Sequence, residues 1–154
     1  MAFHPWHSLA EEPPILVPEI GLSLRVRLPP EMSGGVLTVI DTENAPGHGP
    51  PLHRHGETEV FRVLQGRYLF EVDGRRFEAG AGDVVCIPGG AAHAFLNLTD
   101  APARQTIQIL PGMDALGFFT GMGALMRGGI PARDVLNSFG ARWGVEFLGP
   151  PLRR

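Results

Sequence analysis

The chain has 154 residues, enough for one domain that buries roughly 70% of its unfolded surface, so no disulfide or metal staple is required to fold it. An apolar share of 44% and a charged share of 19% are globular values, and a net charge of −3 gives no basic footprint for nucleic acid. All 13 basic residues are arginine, so no side-chain amine is available for Schiff bases, which excludes pyridoxal phosphate and lysine aldolase chemistry. The single cysteine, Cys86, can form neither an intramolecular bridge nor a cysteine zinc site, and a reducing compartment is the simplest reading. The first seven residues lack the basic start and apolar core of a signal peptide, and no run approaches ~18 apolar residues. The expectation is a soluble cytoplasmic protein with no membrane partner.

In chain order, glycine and proline separate runs too short for ordinary helices, the punctuation of an all-β domain. Strands are predicted at residues 22–28, 36–42, 58–65, 68–72, 75–77, 83–87, 93–97 and 104–110. Asp73-Gly74 lies between two of them and signals a two-residue hairpin turn. Ala94, Phe95, Leu96 and Leu98 are apolar on both strand faces, so a second layer must cover them. Another sheet, the C-terminal segment or a second subunit could supply it. After Pro111-Gly112 the pattern turns helical: Asp114 can cap a helix with Leu116, Phe119, Met122 and Met126 on one face, stopped by Gly128-Gly129. A second short helix is expected from Pro131 to Gly140. The chain divides into residues 1–34, an N-terminal segment and first strand; 35–110, the β core; and 111–154, a C-terminal helical segment and final strand, all in one domain.

Two blocks concentrate the chemistry. The first runs Gly47, His53-Arg54-His55, Glu59, Gly66, and the second Gly82, Pro88-Gly89-Gly90, His93, Asn97. Residues i and i+2 of a strand face the same side, so His53 and His55 project together. Glu59 would lie ~13 Å beyond His55 in extended chain, too far to share an ion held by bonds of ~2 Å. A bend at Gly56 is therefore required, and Pro88 to Gly90 is the turn that brings His93 back to the same place. Imidazole and carboxylate suit one divalent ion, iron, manganese, nickel, cobalt or zinc, and leave a position open for water, dioxygen or substrate. The predicted metal ligands are His53, His55, Glu59 and His93. Glu59, if loosely bound, is also the candidate catalytic base. Asn97 shares the parity of His93, and its role, within the pocket or across the sheet, stays open.

At these blocks the chain resembles the cupin superfamily, matching every fixed position of both cupin motifs: Gly47, His53, His55, Glu59 and Gly66, then Gly82, Pro88, Gly90, His93 and Asn97. The resemblance implies a double-stranded β-helix, the cupin jelly-roll barrel, with His53, His55, Glu59 and His93 turned inward on one metal and with two copies pairing as a homodimer. The stretch from Gly49 to His55 and from Glu59 to Gly66, and the tail with Phe118-Phe119, look like the quercetin dioxygenase-like group. That implies a dioxygenase-type oxidoreductase acting on a small aromatic or enol/dicarbonyl substrate. The alternatives are a redox-neutral metal-dependent isomerase, decarboxylase or lyase, and a non-catalytic small-molecule-binding barrel.

Glu57 competes with Glu59, whose distance to Gly66 is the expected one. His48 reads as a solvated loop residue, and His4 and His7 as N-terminal residues without a site. Cys86, in an apolar strand, is expected to be buried and inert. The Phe118, Phe119, Met122, Met126 stripe is expected in core or dimer packing, with a lid over the barrel mouth as the alternative. Phe61, Tyr68, Phe70 and Gln108 are expected inside the barrel, filling it or lining its cavity.

Overall fold

A computed structural model describes residues 2–154. Among the described residues eleven strands form two antiparallel sheets. The first sheet holds β1 (Ile15–Val17), β2 (Leu22–Leu28), β3 (Thr38–Asn44), β10 (Ala103–Leu110), β5 (Thr58–Gln65) and β8 (Val84–Ile87), in that order. The second holds β11 (Glu146–Pro151), β4 (Pro51–Arg54), β9 (His93–Asn97), β6 (Arg67–Val72) and β7 (Arg75–Gly80). From β3 to β6 and again from β7 to β11 consecutive strands alternate between the sheets, which is how the chain winds a double-stranded β-helix, the cupin jelly roll expected from the motifs.

Strand patterning explains the layers. On β3 the residues Thr38, Ile40, Thr42 and Asn44 are buried while their neighbours are not, and β10 repeats the alternation with Ala103, Gln105, Ile107 and Ile109. These inner faces meet an aromatic group from the other strands. The Phe61 ring lies 5.4 Å from Phe70 and 5.7 Å from Phe95, and Tyr68 lies 5.7 Å from Phe95, with edge-to-face geometry at all three contacts. Asp73-Gly74 makes the expected two-residue turn, with φ of 48° and 79°, so both central residues are left-handed as a type I′ hairpin requires.

β9 is buried along its whole length. Its outer residues Ala94 and Leu96 pack with Leu152, so the C-terminal segment supplies the second layer. Asn97 serves the sheet framework rather than the pocket: its amide donates to the carbonyls of Asn44 and Ala101, and its Oδ1 accepts from the Thr99 backbone.

After β10 the chain forms α1 (Ala115–Leu125), capped by Asp114, whose carboxylate accepts from the Gly117 N–H at 3.0 Å, and then α2 (Arg133–Gly140). No helix among the described residues is long and apolar enough to cross a membrane.

Several expectations need correction. Strand β3 starts and ends two residues later than residues 36–42, β7 runs on to Gly80, and α2 starts at Arg133 rather than Pro131. The short strand β1 had no alternating signal. On α1 the inward residues are Ala115, Phe118 and Met122, and Leu116 is 60% exposed, because the helix starts at Ala115 and turns that side outward. Cys86 is exposed, not buried: on the edge strand β8, Val85 and Ile87 face the core and Val84 and Cys86 face out. Gln108 likewise points out of the barrel, one position out of phase with Ile107 and Ile109.

Phe70 touches Phe61, Tyr68, Phe77 and Phe95. Phe70→Ala is expected to cost about 3–5 kcal/mol of unfolding free energy, read as a lower midpoint in urea denaturation.

Candidate metal centre

The site lies where the two sheets meet at one end of the barrel. β4 and β9 are paired in register at His53 and His93, so these two imidazoles start side by side. His55 follows the end of β4, and Glu59 sits on β5 in the opposite sheet, in phase with the buried Phe61 and Val63. The bend between His55 and Glu59 falls at Gly56, as the spacing demands. It is fixed by the second motif. The Gly90 N–H donates to the His55 carbonyl at 2.8 Å, and the Gly89 N–H to the Thr58 hydroxyl at 3.1 Å. A Cβ on Gly89 would stand 2.1 Å from the Gly56 carbonyl oxygen, so only glycine lets the two loops approach this closely.

One nitrogen from each of His53, His55 and His93 lies within 4.8 Å of the others. Ligand atoms bonded at ~2 Å to a common ion stand ~3–4 Å apart, so small closure of the rings is enough. The other ring nitrogens are already occupied. Nδ1 of His53 contacts the Pro51 carbonyl at 2.7 Å, Nδ1 of His93 the Ala91 carbonyl at 2.9 Å, and Nδ1 of His55 the Glu57 carbonyl at 3.1 Å. A carbonyl can only accept, so each Nδ1 carries a proton, which leaves Nε2 as the nitrogen that can ligate a metal once it gives up any proton it shares with Glu59. The donor set fits a divalent ion. Glu59 stands beside the same nitrogens, with Oε2 3.0 Å from His93 Nε2 and Oε1 3.6 Å from His55 Nε2. Glu57 instead reaches the back of His55, 3.3 Å from Nδ1.

Burial and charge act differently on each group. Desolvation, with the neighbouring His93 and His55, lowers His53 from 6.5 to about 3, so it stays neutral. At His55 desolvation pulls the same way but is outweighed by the hydrogen bond and charge of Glu59 and by Glu57, and its pKa rises. At Glu59 burial would favour the acid, yet the contacts with His55 and His93 win and hold the carboxyl well below the ordinary range. Glu59 is a carboxylate at any physiological pH.

The site opens into a cavity of about 100 Å³. Ile20, Leu22, Ile40, Phe95, Ile107 and Ile109 form its walls. Met113, Phe118, Phe119, Met122 and Trp143 also line it as its C-terminal cover, and Phe118, Met122 and Met126 belong to the hydrophobic core with Phe119 packed against it, so the stripe lies in core packing as expected. α2 is tied into this cover through Asn137, which exchanges two hydrogen bonds with the Phe147 backbone, and Phe147 lies beside His53 with ring centroids 6.3 Å apart. Phe61, Tyr68 and Phe70 fill the barrel core around Phe95 and do not themselves line the cavity. His48 is an exposed loop residue, and His4 and His7 are exposed near the N-terminus.

Sequence reasoning missed Thr42, Asn44, Trp143, Val145 and Phe147 as cavity residues. For Thr42 and Asn44 the signal was present, since two polar residues share the inward phase of Ile40. Beside them Gln105 is fully buried, and neither amide atom has a partner among the described residues, at a cost of about 1–3 kcal/mol for each unsatisfied group.

His55→Ala is expected to lose the ion that the unaltered protein retains on purification, measured by elemental analysis; undiminished metal content would remove His55 from the ligand set. In the ion-free protein, stability contributed by neutral His53 is full above 6.5 and lost as pH falls towards about 3. His55, with its raised value, contributes in the opposite sense: its share is full below 6.5 and lost as pH rises through its folded pKa. Imidazole NMR of ion-free protein should accordingly show His55 titrating above 6.5 while His53 holds its neutral shift down to about pH 4.

Comparison with known proteins agrees with the fold and the motif positions. The family model described as a cupin domain matches residues 42–107. The uncharacterized protein MJ1618 of Methanocaldococcus jannaschii is 30% identical over 86 residues, 54% of this chain and 69% of that protein. Among solved structures, KdgF from Halomonas sp. is similar at a TM-score of 0.64 and 17% identity, covering 73% of this chain and 98% of that one. A predicted oxalate decarboxylase from Thermotoga maritima is similar at a TM-score of 0.62 and 23% identity, covering 70% and 99%. The jelly roll, the two motifs with their three converging imidazoles, and these matches place the chain in the cupin superfamily.

Proposed function

We propose that the protein is a metal-dependent oxidoreductase of dioxygenase type acting on a small aromatic or enol/dicarbonyl substrate. The observation that carries this reading is the make-up of the cavity behind the imidazoles. Apart from Thr42 and Asn44 its walls are apolar or aromatic, and among the described residues its only carboxylates are Glu57 and Glu59 and no arginine reaches it. Beyond the ion itself nothing in the cavity would balance a further anionic group, so the phosphate of a sugar phosphate would be buried at a desolvation penalty of several kcal/mol. A flat neutral molecule with an enol or phenol hydroxyl meets no such penalty.

In this reading His53, His55 and His93 hold one divalent ion through Nε2, and Glu59 completes the set. A bound iron, manganese, nickel or cobalt ion supplies Lewis acidity and electron transfer to dioxygen. Glu59, kept ionised between His55 and His93, accepts the proton of the substrate hydroxyl. Phe95, Ile107 and Ile109 hold the ring, and the Phe118–Trp143 cover excludes bulk water from it.

Position alone also favours a second reading. A carboxylate in contact with two imidazoles is all that a redox-neutral proton transfer needs, as in an isomerase, decarboxylase or lyase.

Oxygen-electrode measurements on protein loaded with iron, manganese, nickel or cobalt, against flavonols, phenols and β-diketones, separate the two. Metal-dependent uptake with at least one substrate is expected, with Glu59→Gln slower by roughly 10²–10⁴. Silence across the panel would overturn the dioxygenase reading, and product formed under argon would establish the redox-neutral one.

A further inference from the structure

The cavity has a second polar end. Asn44 is 1% exposed and lines the cavity on the side away from the imidazoles. Its side-chain Oδ1 accepts from the Tyr68 hydroxyl at 2.8 Å, which fixes the plane of the amide. With Oδ1 taken by Tyr68 and the backbone carbonyl by Asn97, Nδ2 is the one polar atom of this side chain with no hydrogen-bond partner among the described residues, and Asn44 is one of the residues that line the cavity. Thr42, two residues away on the same face of β3, also lines the cavity, and its hydroxyl reaches the Gln105 carbonyl only at a long 3.4 Å. Everything between this end and the imidazoles is apolar, chiefly Leu22, Ile40, Phe95 and Ile107.

Register sets the separation. His93 and Asn97 are four residues apart on β9, about 13 Å of strand. Tyr68 is the cross-strand partner of Asn97, and its hydroxyl reaches Asn44. The imidazoles project into the barrel from the far end of that span, so an ion held by them and the Asn44 amide stand on the order of 10 Å apart.

Resting on the reading of this cavity as the substrate site, we infer that Asn44 selects its ligand: an elongated molecule with a metal-binding head, an apolar or aromatic middle, and a hydrogen-bond acceptor at the far end that takes the Asn44 Nδ2 donor. Thr42 flanks that acceptor. A molecule of the same length ending in hydrocarbon leaves a buried donor unpaired and binds less well. A short polar substrate spans only the metal end.

The test compares 4-acetylbenzohydroxamate with its 4-isopropenyl isostere on zinc-loaded protein, with dissociation constants from calorimetry. The two probes share the hydroxamate head and differ at one distal group, a carbonyl against a methylidene. The unaltered protein is expected to prefer the acetyl compound by roughly fivefold, the worth of one net hydrogen bond. Asn44→Leu should bring the ratio to about one while the isopropenyl compound still binds. Asn44→Asp keeps the Tyr68 contact but turns the donor into an acceptor, and should reverse the preference. A ratio near one in the unaltered protein, or an acetyl preference surviving both substitutions, overturns the inference. Failure of the dioxygenase reading looks different, since a protein that shows the binding preference but consumes no oxygen loses its reaction and keeps its ligand shape.

Discussion

The contact between the loop at Gly56 and the turn at Gly89-Gly90 is the constraint on which the site depends. Two segments more than 30 residues apart in sequence must meet backbone to backbone, with the Gly90 N–H on the His55 carbonyl and no room for a side chain at Gly89. That meeting bends the first motif so that Glu59 returns to His55, and it aims the start of β9 so that His93 enters opposite His53. The imidazoles are then turned by carbonyls of their own loops, Pro51, Glu57 and Ala91. The position and tautomer of every nitrogen donor follow from backbone geometry, which is stiffer than any side-chain network.

Electrostatics follow from that stiffness. Three imidazoles pressed together under burial cannot all be charged, and the protein resolves the conflict by keeping His53 neutral and pairing Glu59 with the other two. The cavity's two carboxylates, Glu59 against the imidazoles and Glu57 behind His55, both sit at that end. The space beyond is left to hydrocarbon and aromatic rings, with Asn44 and Thr42 at its far side. Charge is confined to one end and shape governs the rest.

Much of this was legible in the residues. His53 and His55 at i and i+2, the six-residue step from Glu59 to Gly66, and Pro88 to Gly90 before His93 are short-range patterns, and short-range patterns dictate strands and turns. The Asp73-Gly74 hairpin and the Asp114 cap belong to the same kind. What escaped was set by tertiary placement. Cys86 lies in an apolar run, but only the position of β8 at a sheet edge leaves one of its faces in solvent. Leu116 fits a helical stripe, and only the docking of α1 decides that Phe118 faces inward instead. Trp143, Val145 and Phe147 lie about 90 residues beyond the first histidines, and no local signal announces that the chain returns to cover them.

That return has a mechanical meaning. β11 pairs with β4, with Phe147 opposite His53, so the cover of the cavity and the strand carrying a metal-facing imidazole belong to the same sheet. Asn137 of α2 holds the Phe147 backbone by two hydrogen bonds, so α2, β11 and the His53 strand form one hydrogen-bonded unit, and a displacement of α2 would be felt at Phe147 and, across the strand pair, at His53.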